Sequence, residues 1–364
     1  MRRWCHAHSG SGRGDGERLL NTDLFAVASS VPAELATAAI PPTCRRPIES
    51  PGPVIREGDD AVVELGPWRP RTAARHFVPA FSVLGTLAYA FRFELSAATA
   101  HGWSPWVATA TVGSADFFPL APAGGIESQI DLWTTEEAVS EVRLRLRVRT
   151  LGPEAVLDQP WLVTLSACDG VKDGPTPALT RSARLSVPAL SQMDADPALA
   201  ARICSPTSVA MVLAYYGAGV SPEGLAAEMF HPALDIYGVW PAAVSAASRH
   251  GVLGYLLRFP DWDAAAWCLD HGLPIVASVR YEAGELTGAA IGATKGHLVV
   301  ATGYDGDDVL VNDPAAPTAA AVPRRYRRAE LESVWLARAG VGYVFFKAPS
   351  GSAPPRPGTR PRGG

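Results

Sequence analysis

In the stretch EVRLRLRVRT, Val142, Leu144, Leu146 and Val148 alternate with four arginines. That period of two is the mark of a strand with one buried face. Shorter runs of similar texture surround it: AVVELGPW from Ala61, TLAYAFRFEL from Thr86, WVATATVG from Trp106, SQIDLWT from Ser128 and PWLVTLSAC from Pro160. Each is bounded by Gly, Pro or acidic turn residues and predicts a strand. Six such runs with no helical period among them predict an all-β antiparallel sandwich over residues 54–168. Residues 1–53 are rich in Gly, Ser, Arg and Pro, carry no sustained period, and are expected to be disordered. Residues 169–182, DGVKDGPTPALTRS, read as a linker.

Past the linker the period changes. In SPTSVAMVLAYYG, Val209, Val212, Leu213 and Tyr216 fall at i, i+3, i+4 and i+7, and Gly217 ends the run. This spacing predicts a helix. WPAAVSAASRHG and WDAAAWCLDHG predict two more, each closed by glycine, while PIVASVRY, HLVVATGY and DVLVND predict strands of a central sheet. An α+β domain is therefore expected over residues 183–348, followed by a disordered basic tail, 349–364. There is no internal repeat.

Composition narrows this picture in three ways. With 364 residues, 48% hydrophobic and 19% charged, the chain has the make-up of a soluble globular protein with room for two domains. A net charge of −4 and a pI near 6.1 argue against nucleic acid as a partner. The five cysteines, Cys5, Cys44, Cys168, Cys204 and Cys268, include no CxxC and an odd member, so neither a disulfide framework nor a zinc site is expected. No apolar run is long enough to span a membrane. The segment MRRWCHAHSGSGRGDGERLLNTDLF starts basic but lacks the apolar stretch of a signal peptide.

Cys204 stands where the first helix begins, with Pro206 in its first turn. Unpaired N–H groups and the helix dipole there lower a thiol pKa from about 8.5 by one to several units. Such a thiolate becomes an acyl-transfer nucleophile when an imidazole partners it. His297 is the candidate. HLVVATGY and DVLVND predict a hairpin around Asp305, Gly306 and Asp307; a three-residue loop pairs Tyr304 with Asp308 and His297 with Ala315. His297 and Asp313 then share a face as diagonal neighbours, close enough for the carboxylate to orient the imidazole. A two-residue loop turns Asp313 to the opposite face unless a bulge restores the register. Gln192, twelve residues before Cys204, is an amide that can donate to a developing oxyanion beside the Cys204 N–H.

The segments LSQMD, ICSPTSVAMVLAYYG, GVWPAAVSAASRHG, GLPIVASVRY and KGHLVVATGYDGDDVLVNDP resemble the C39-like peptidase family, a branch of the papain-like cysteine peptidases, from about Ser186 to Lys347. The resemblance implies a papain-like fold and hydrolysis of a peptide or amide bond. Cys204 would be the nucleophile, His297 the general base and acid, Asp313 the orienting group and Gln192 an oxyanion donor. It implies no metal or organic cofactor, a peptide or cell-wall peptide as substrate, and a place in the cell envelope or outside the cell. Where the family commonly has Cys-Gly-Pro, this chain has Cys204-Ser205-Pro206, a side chain expected to narrow the site. The β-rich half is similar to a sandwich found beside such domains in some actinobacterial proteins. Acyl transfer to an amine and a non-catalytic glycan- or peptide-binding scaffold are the competing readings.

Other features read as structural. Trp68, Trp103, Trp106 and Trp133 are expected mainly in core or edge packing, with carbohydrate contact through the N-terminal domain as the rival reading. RRYRR, Arg324 to Arg328, reads as a solvated strand or turn face. Asp305, Asp307 and Asp308 form a turn without calcium-loop spacing, and Cys268 is a helical core position.

Overall fold

The computed structural model describes residues 21–121, 123–170 and 181–347. In chain order its first half comprises β1 (Thr22–Ser29), α1 (Ala33–Ala38), β2 (Arg45–Glu49), β3 (Val54–Glu57), β4 (Asp60–Trp68), β5 (Ala74–Val83), β6 (Tyr89–Thr99), β7 (Gly102–Trp103), β8 (Val107–Ala108), β9 (Ile126–Gln129), β10 (Leu132–Val139), β11 (Val142–Thr150) and β12 (Trp161–Cys168). The second half comprises β13 (Ser182–Arg184), α2 (Pro197–Ala200), α3 (Cys204–Tyr215), α4 (Pro222–Met229), α5 (Trp240–Arg249), β14 (Leu253–Arg258), α6 (Trp262–Asp270), β15 (Ile275–Tyr281), β16 (Thr294–Asp305), β17 (Asp308–Asn312), β18 (Pro323–Arg327), α7 (Arg328–Val334) and β19 (Val341–Phe346).

The first half forms two six-stranded sheets, ordered β2-β1-β12-β5-β10-β9 and β3-β4-β11-β6-β7, with β8 also on β6. The alternation in β11 does what the pattern predicts. Val142, Leu144, Leu146 and Val148 are buried and share one core with Phe77, Phe81, Trp161 and Val163 of the other sheet. The intervening arginines take the opposite face and meet acids on neighbouring strands: Arg145 with Glu64 at 3.0 Å, Arg147 with Glu94 at 2.8 Å and Arg149 with Asp60 at 2.7 Å. Trp68 and Trp133 are buried. Trp103 and Trp106 lie under the Arg143 guanidinium, each with its ring centroid 4.6 Å away, and Arg145 sits 4.1 Å from Trp106. These rings are used in cation–π packing on the sheet, and the carbohydrate expectation finds no support in them.

Three expectations need correction. Residues 22–49 are ordered, not disordered: β1 pairs along its whole length with β12, and Leu24, Phe25, Ala26 and Val27 are buried. Phe25 and Val27 enter the core between the two sheets, while Leu24 and Ala26 enter a second core with Trp262 and Tyr255. A strand buried on both faces is a continuous apolar run without alternation, so the period-two pattern was silent there. SQIDLWT is not one strand but the tip of the β9–β10 hairpin, turning at Ile130 and Asp131. WVATATVG contributes only the two residues of β8 and an isolated bridge from Val112 to Phe91. The expectations for residues 1–20, most of the linker and the tail lie outside the described residues.

The second half is built on a seven-stranded sheet, β14-β19-β15-β16-β17-β18 with β13 on β16, covered on both faces by helices. The helices predicted from sequence are α3, α5 and α6, and Gly217, Gly251 and Gly272 just beyond them all adopt φ +78°. This left-handed value is available to glycine at little steric cost and closes the last turn. The halves share more than the chain. Ser82 Oγ on β5 donates to Gly254 O and accepts from Gly254 N–H, both at 2.9 Å and buried. Tyr89 OH lies 2.6 Å from Ser245 Oγ, and Tyr255 OH donates to Ala39 O at 2.6 Å.

Ser82→Ala leaves both Gly254 groups buried without their partner, which costs about 1–3 kcal/mol. The variant should show a lower denaturant midpoint with unchanged slope by both tryptophan fluorescence and circular dichroism. A shift in only one signal would mean that the halves unfold separately.

Candidate active site

Cys204 is the first residue of α3, as its position before the Ser-Pro-Thr-Ser run suggests, and it is partly exposed. It opens into a cleft of about 550 Å³ whose walls include Leu298, Val279, Ile236 and Trp240. Ser205, expected to narrow the site, points the other way. It is buried, with its Oγ 3.4 Å from Tyr343 OH.

The imidazole comes from β16 and its carboxylate from just beyond β17. The turn between them has two residues, Gly306 and Asp307, since Asp305 pairs with Asp308. A register shift between Ala301 and Gly303 then adds one residue to β16, so that Val300 pairs with Asn312. The bulge produces the register that a three-residue loop would have set, and His297 and Asp313 fall on one face. His297 Nε2 lies 2.8 Å from Asp313 Oδ1, with both side chains buried. The ring also neighbours the Cys204 thiol, and each group shifts the titration of the other.

Asp313 is held from several directions. Its Oδ1 accepts the Ala315 N–H at 3.0 Å, and its Oδ2 accepts Tyr326 OH at 2.6 Å and the Ala290 N–H at 3.4 Å. Tyr326 is the residue that sequence reasoning missed. It is the centre of RRYRR, buried in β18 between exposed arginines. The signal available was the single apolar residue in that charged run.

The charges are mutually consistent. Burial alone would raise the Cys204 thiol, but hydrogen bonding to and charge on His297, with the Leu298 and Ser205 N–H groups, bring it below its ordinary value. Burial disfavours charged His297, yet Asp313 and Cys204 together raise it. Burial would raise Asp313 too, and the His297 and Tyr326 hydrogen bonds hold it down. All three shifts favour the charged form of their group. By contrast, burial pushes Cys44 up to about 12 and Cys268 well above its normal value.

Gln192 belongs to the same neighbourhood. Its N–H donates to Pro314 O at 2.8 Å, one residue past Asp313, while its Nε2 donates to Ala200 O at 2.7 Å. Its Oε1 is buried without a partner. Among the described residues no cluster of three or more His, Cys, Asp or Glu is arranged to hold a metal ion, and no helix is long and apolar enough to cross a membrane.

The fold thus brings together a thiol at a helix N-terminus, a strand-borne imidazole and the buried carboxylate that grips it. In comparison with known proteins, residues 184–343 match the model of the Peptidase_C39 like family. Solved structures similar to it include a double glycine motif protease from an AMS/PCAT transporter in complex with the leader peptide, at 20% identity over 47% of this chain and 98% of that chain, TM-score 0.32. A protein from Bacillus anthracis described as a C39-like peptidase is 20% identical over 46% of this chain and 98% of that chain, TM-score 0.37. The peptidase domain of Streptococcus ComA, a bi-functional ABC transporter, is 17% identical over 44% and 99%, TM-score 0.31. No curated protein matches the chain.

Two predictions follow from the electrostatics. The rate of Cys204 alkylation by iodoacetamide should inflect below the free-thiol value of about 8.5. His297→Ala should move the inflection upward, and Tyr326→Phe should move it the same way by less. Identical profiles for wild type and His297→Ala, read by mass spectrometry at Cys204, would contradict the ion pair. The second concerns Asp131, whose carboxyl desolvation pushes up to about 7 although it accepts the Trp240 N–H at 3.0 Å. An unfolded aspartate ionises near 3.9, so between about pH 4 and pH 7 the folded chain keeps a proton that the unfolded chain has lost. Stability therefore falls as pH rises through that window. Asp131→Asn should flatten this slope in denaturation midpoints measured from pH 4 to 8, and an unchanged slope would refute the assignment.

Proposed function

We propose that the protein is a cysteine peptidase that hydrolyses a peptide bond through Cys204, His297 and Asp313. The observation that carries the reading is the His297 ring, held 2.8 Å from Asp313 and electrostatically linked to the Cys204 thiol. In this reading the thiolate attacks the carbonyl carbon. The His297 imidazolium donates its proton to the leaving amine, and the neutral ring then takes a proton from the water that attacks the thioester. Asp313 keeps the ring oriented and offsets its charge. The oxyanion is met by the Cys204 N–H at the start of α3 and by the Gln192 amide proton that Ala200 does not use. The two-sheet half is proposed to be a β-sandwich that supports the peptidase domain, and the substrate to be a peptide that enters the cleft beside Cys204.

Incubation with a synthetic peptide library, read by mass spectrometry, tests this. The wild type should yield products that fall at least about 10³-fold in Cys204→Ser and in His297→Ala. Hydrolysis gives free carboxylates even with hydroxylamine present at low concentration, whereas dominant hydroxamates would assign acyl transfer. Cleavage surviving Cys204→Ser would sink the proposal.

A further inference from the structure

The cleft at Cys204 is not built by the peptidase domain alone. Gln129, Ile130, Asp131 and Leu132, from the tip of the β9–β10 hairpin, also line it. These residues precede the family match, which begins at residue 184.

Three features of the tip set it apart from an ordinary turn. Ile130 is 43% exposed although large and apolar. Its φ is +32°, the left-handed region, where a β-branched side chain is an outlier that Gly or Asn would relieve. Strain of this kind persists where the surrounding structure enforces it, and it clusters at sites of function. The surroundings here do enforce it. Ile130 O accepts the Ala110 N–H at 2.8 Å, Asp131 Oδ2 accepts the N–H of Trp240 at the start of α5, and Leu132 is buried in the core that contains α3. The tip is thus fixed to α5, the neighbour of the helix that carries Cys204, and anchored in the core they share, with an apolar side chain left uncovered at the cleft. Ile236, Val279 and Leu298 line the same cleft.

We infer that the β9–β10 tip forms one wall of the substrate subsite and that Ile130 selects peptides with a large apolar side chain next to the scissile bond. The occupant is the peptide substrate because the same cleft contains Cys204; the inference rests on the peptidase reading of that residue. The first half of the chain is then a specificity element, not only a support.

The test uses full-length protein and peptidyl chloromethyl ketones, whose carbon is attacked by sulfur with loss of chloride. One leucine is moved through otherwise glycine positions of the probe, and iodoacetamide serves as the small reagent that needs no subsite. In the wild type one leucine position should react roughly tenfold faster than the all-glycine probe, the scale on which apolar pockets discriminate. Ile130→Ala and Ile130→Gly should both erase most of that preference while leaving the pH profile of iodoacetamide labelling at Cys204 unchanged. The glycine variant relieves the backbone, so loss of preference in a variant that melts no earlier than the wild type separates side-chain selection from misfolding. A leucine preference that survives in both variants overturns the inference and leaves the peptidase reading standing. An ordinary free-thiol profile at Cys204 in the wild type removes that reading, and the inference with it.

Discussion

The sheet β2-β1-β12-β5-β10-β9 is buried on both faces at its centre, and the arrangement of both halves follows from that. Phe25, Val27, Phe77, Phe81 and Val163 point into the core between the two sheets. The residues between them, Leu24, Ala26, Leu162, Val78 and Ala80, point into cores shared with the helices and sheet of the second half. Each Val, Leu or Phe so placed is worth about 1.5–3 kcal/mol against exposure, and separating the halves would return the second set to water. The same covering explains α3. Its nine residues from Ser205 to Leu213 are all buried, so the helix that bears Cys204 has no wet face on which to be amphipathic.

This constraint also decides what the sequence could and could not reveal. A strand such as β11, apolar on one face and arginine-bearing on the other, announces itself by alternation. β1 has no wet face, and its run of apolar residues lies in a Gly- and Pro-rich neighbourhood that reads as disorder. A glycine marks where α3, α5 and α6 each stop, and the helix α3 was readable from its apolar spacing. The β9–β10 turn was not, because Ile130 and Asp131 are not turn formers: the tip is held by Ala110, Trp240 and the α3 core, all remote in sequence. Tyr326 was hidden by its arginine neighbours, since charge patterning describes the exposed side of a strand and not what its one inward residue touches.

The pairing of His297 with Asp313 was foreseeable to a definite depth. Which face a strand residue occupies depends only on whether the number of residues between partners is odd or even, counting any bulge. The sequence therefore required one extra residue somewhere between His297 and Asp313, without saying whether turn or strand held it. The structure puts it in the strand, between Ala301 and Gly303. Gly303 suits that place because a Cβ there would collide with the Ala183 carbonyl oxygen of β13. A glycine at the bulge thus lets β13 close against β16 while the register is corrected.

With that register set, the site depends on keeping a buried charge from being lost. A lone imidazolium at His297 would release its proton, because burial disfavours it. Asp313 prevents this only if it remains ionised, and burial disfavours that as well. The Tyr326 hydroxyl and the Ala315 N–H settle the second problem by donating to the carboxylate, and the ionised carboxylate settles the first. The Cys204 thiol is then the last member of a chain of groups in which each neighbour favours the charged form of the next. Tyr326 lies on the far side of Asp313 from His297, so β18 acts on the thiol only through the carboxylate and the ring. The strand that reads as the most solvent-facing in the sequence therefore bears on the titration of the Cys204 thiol.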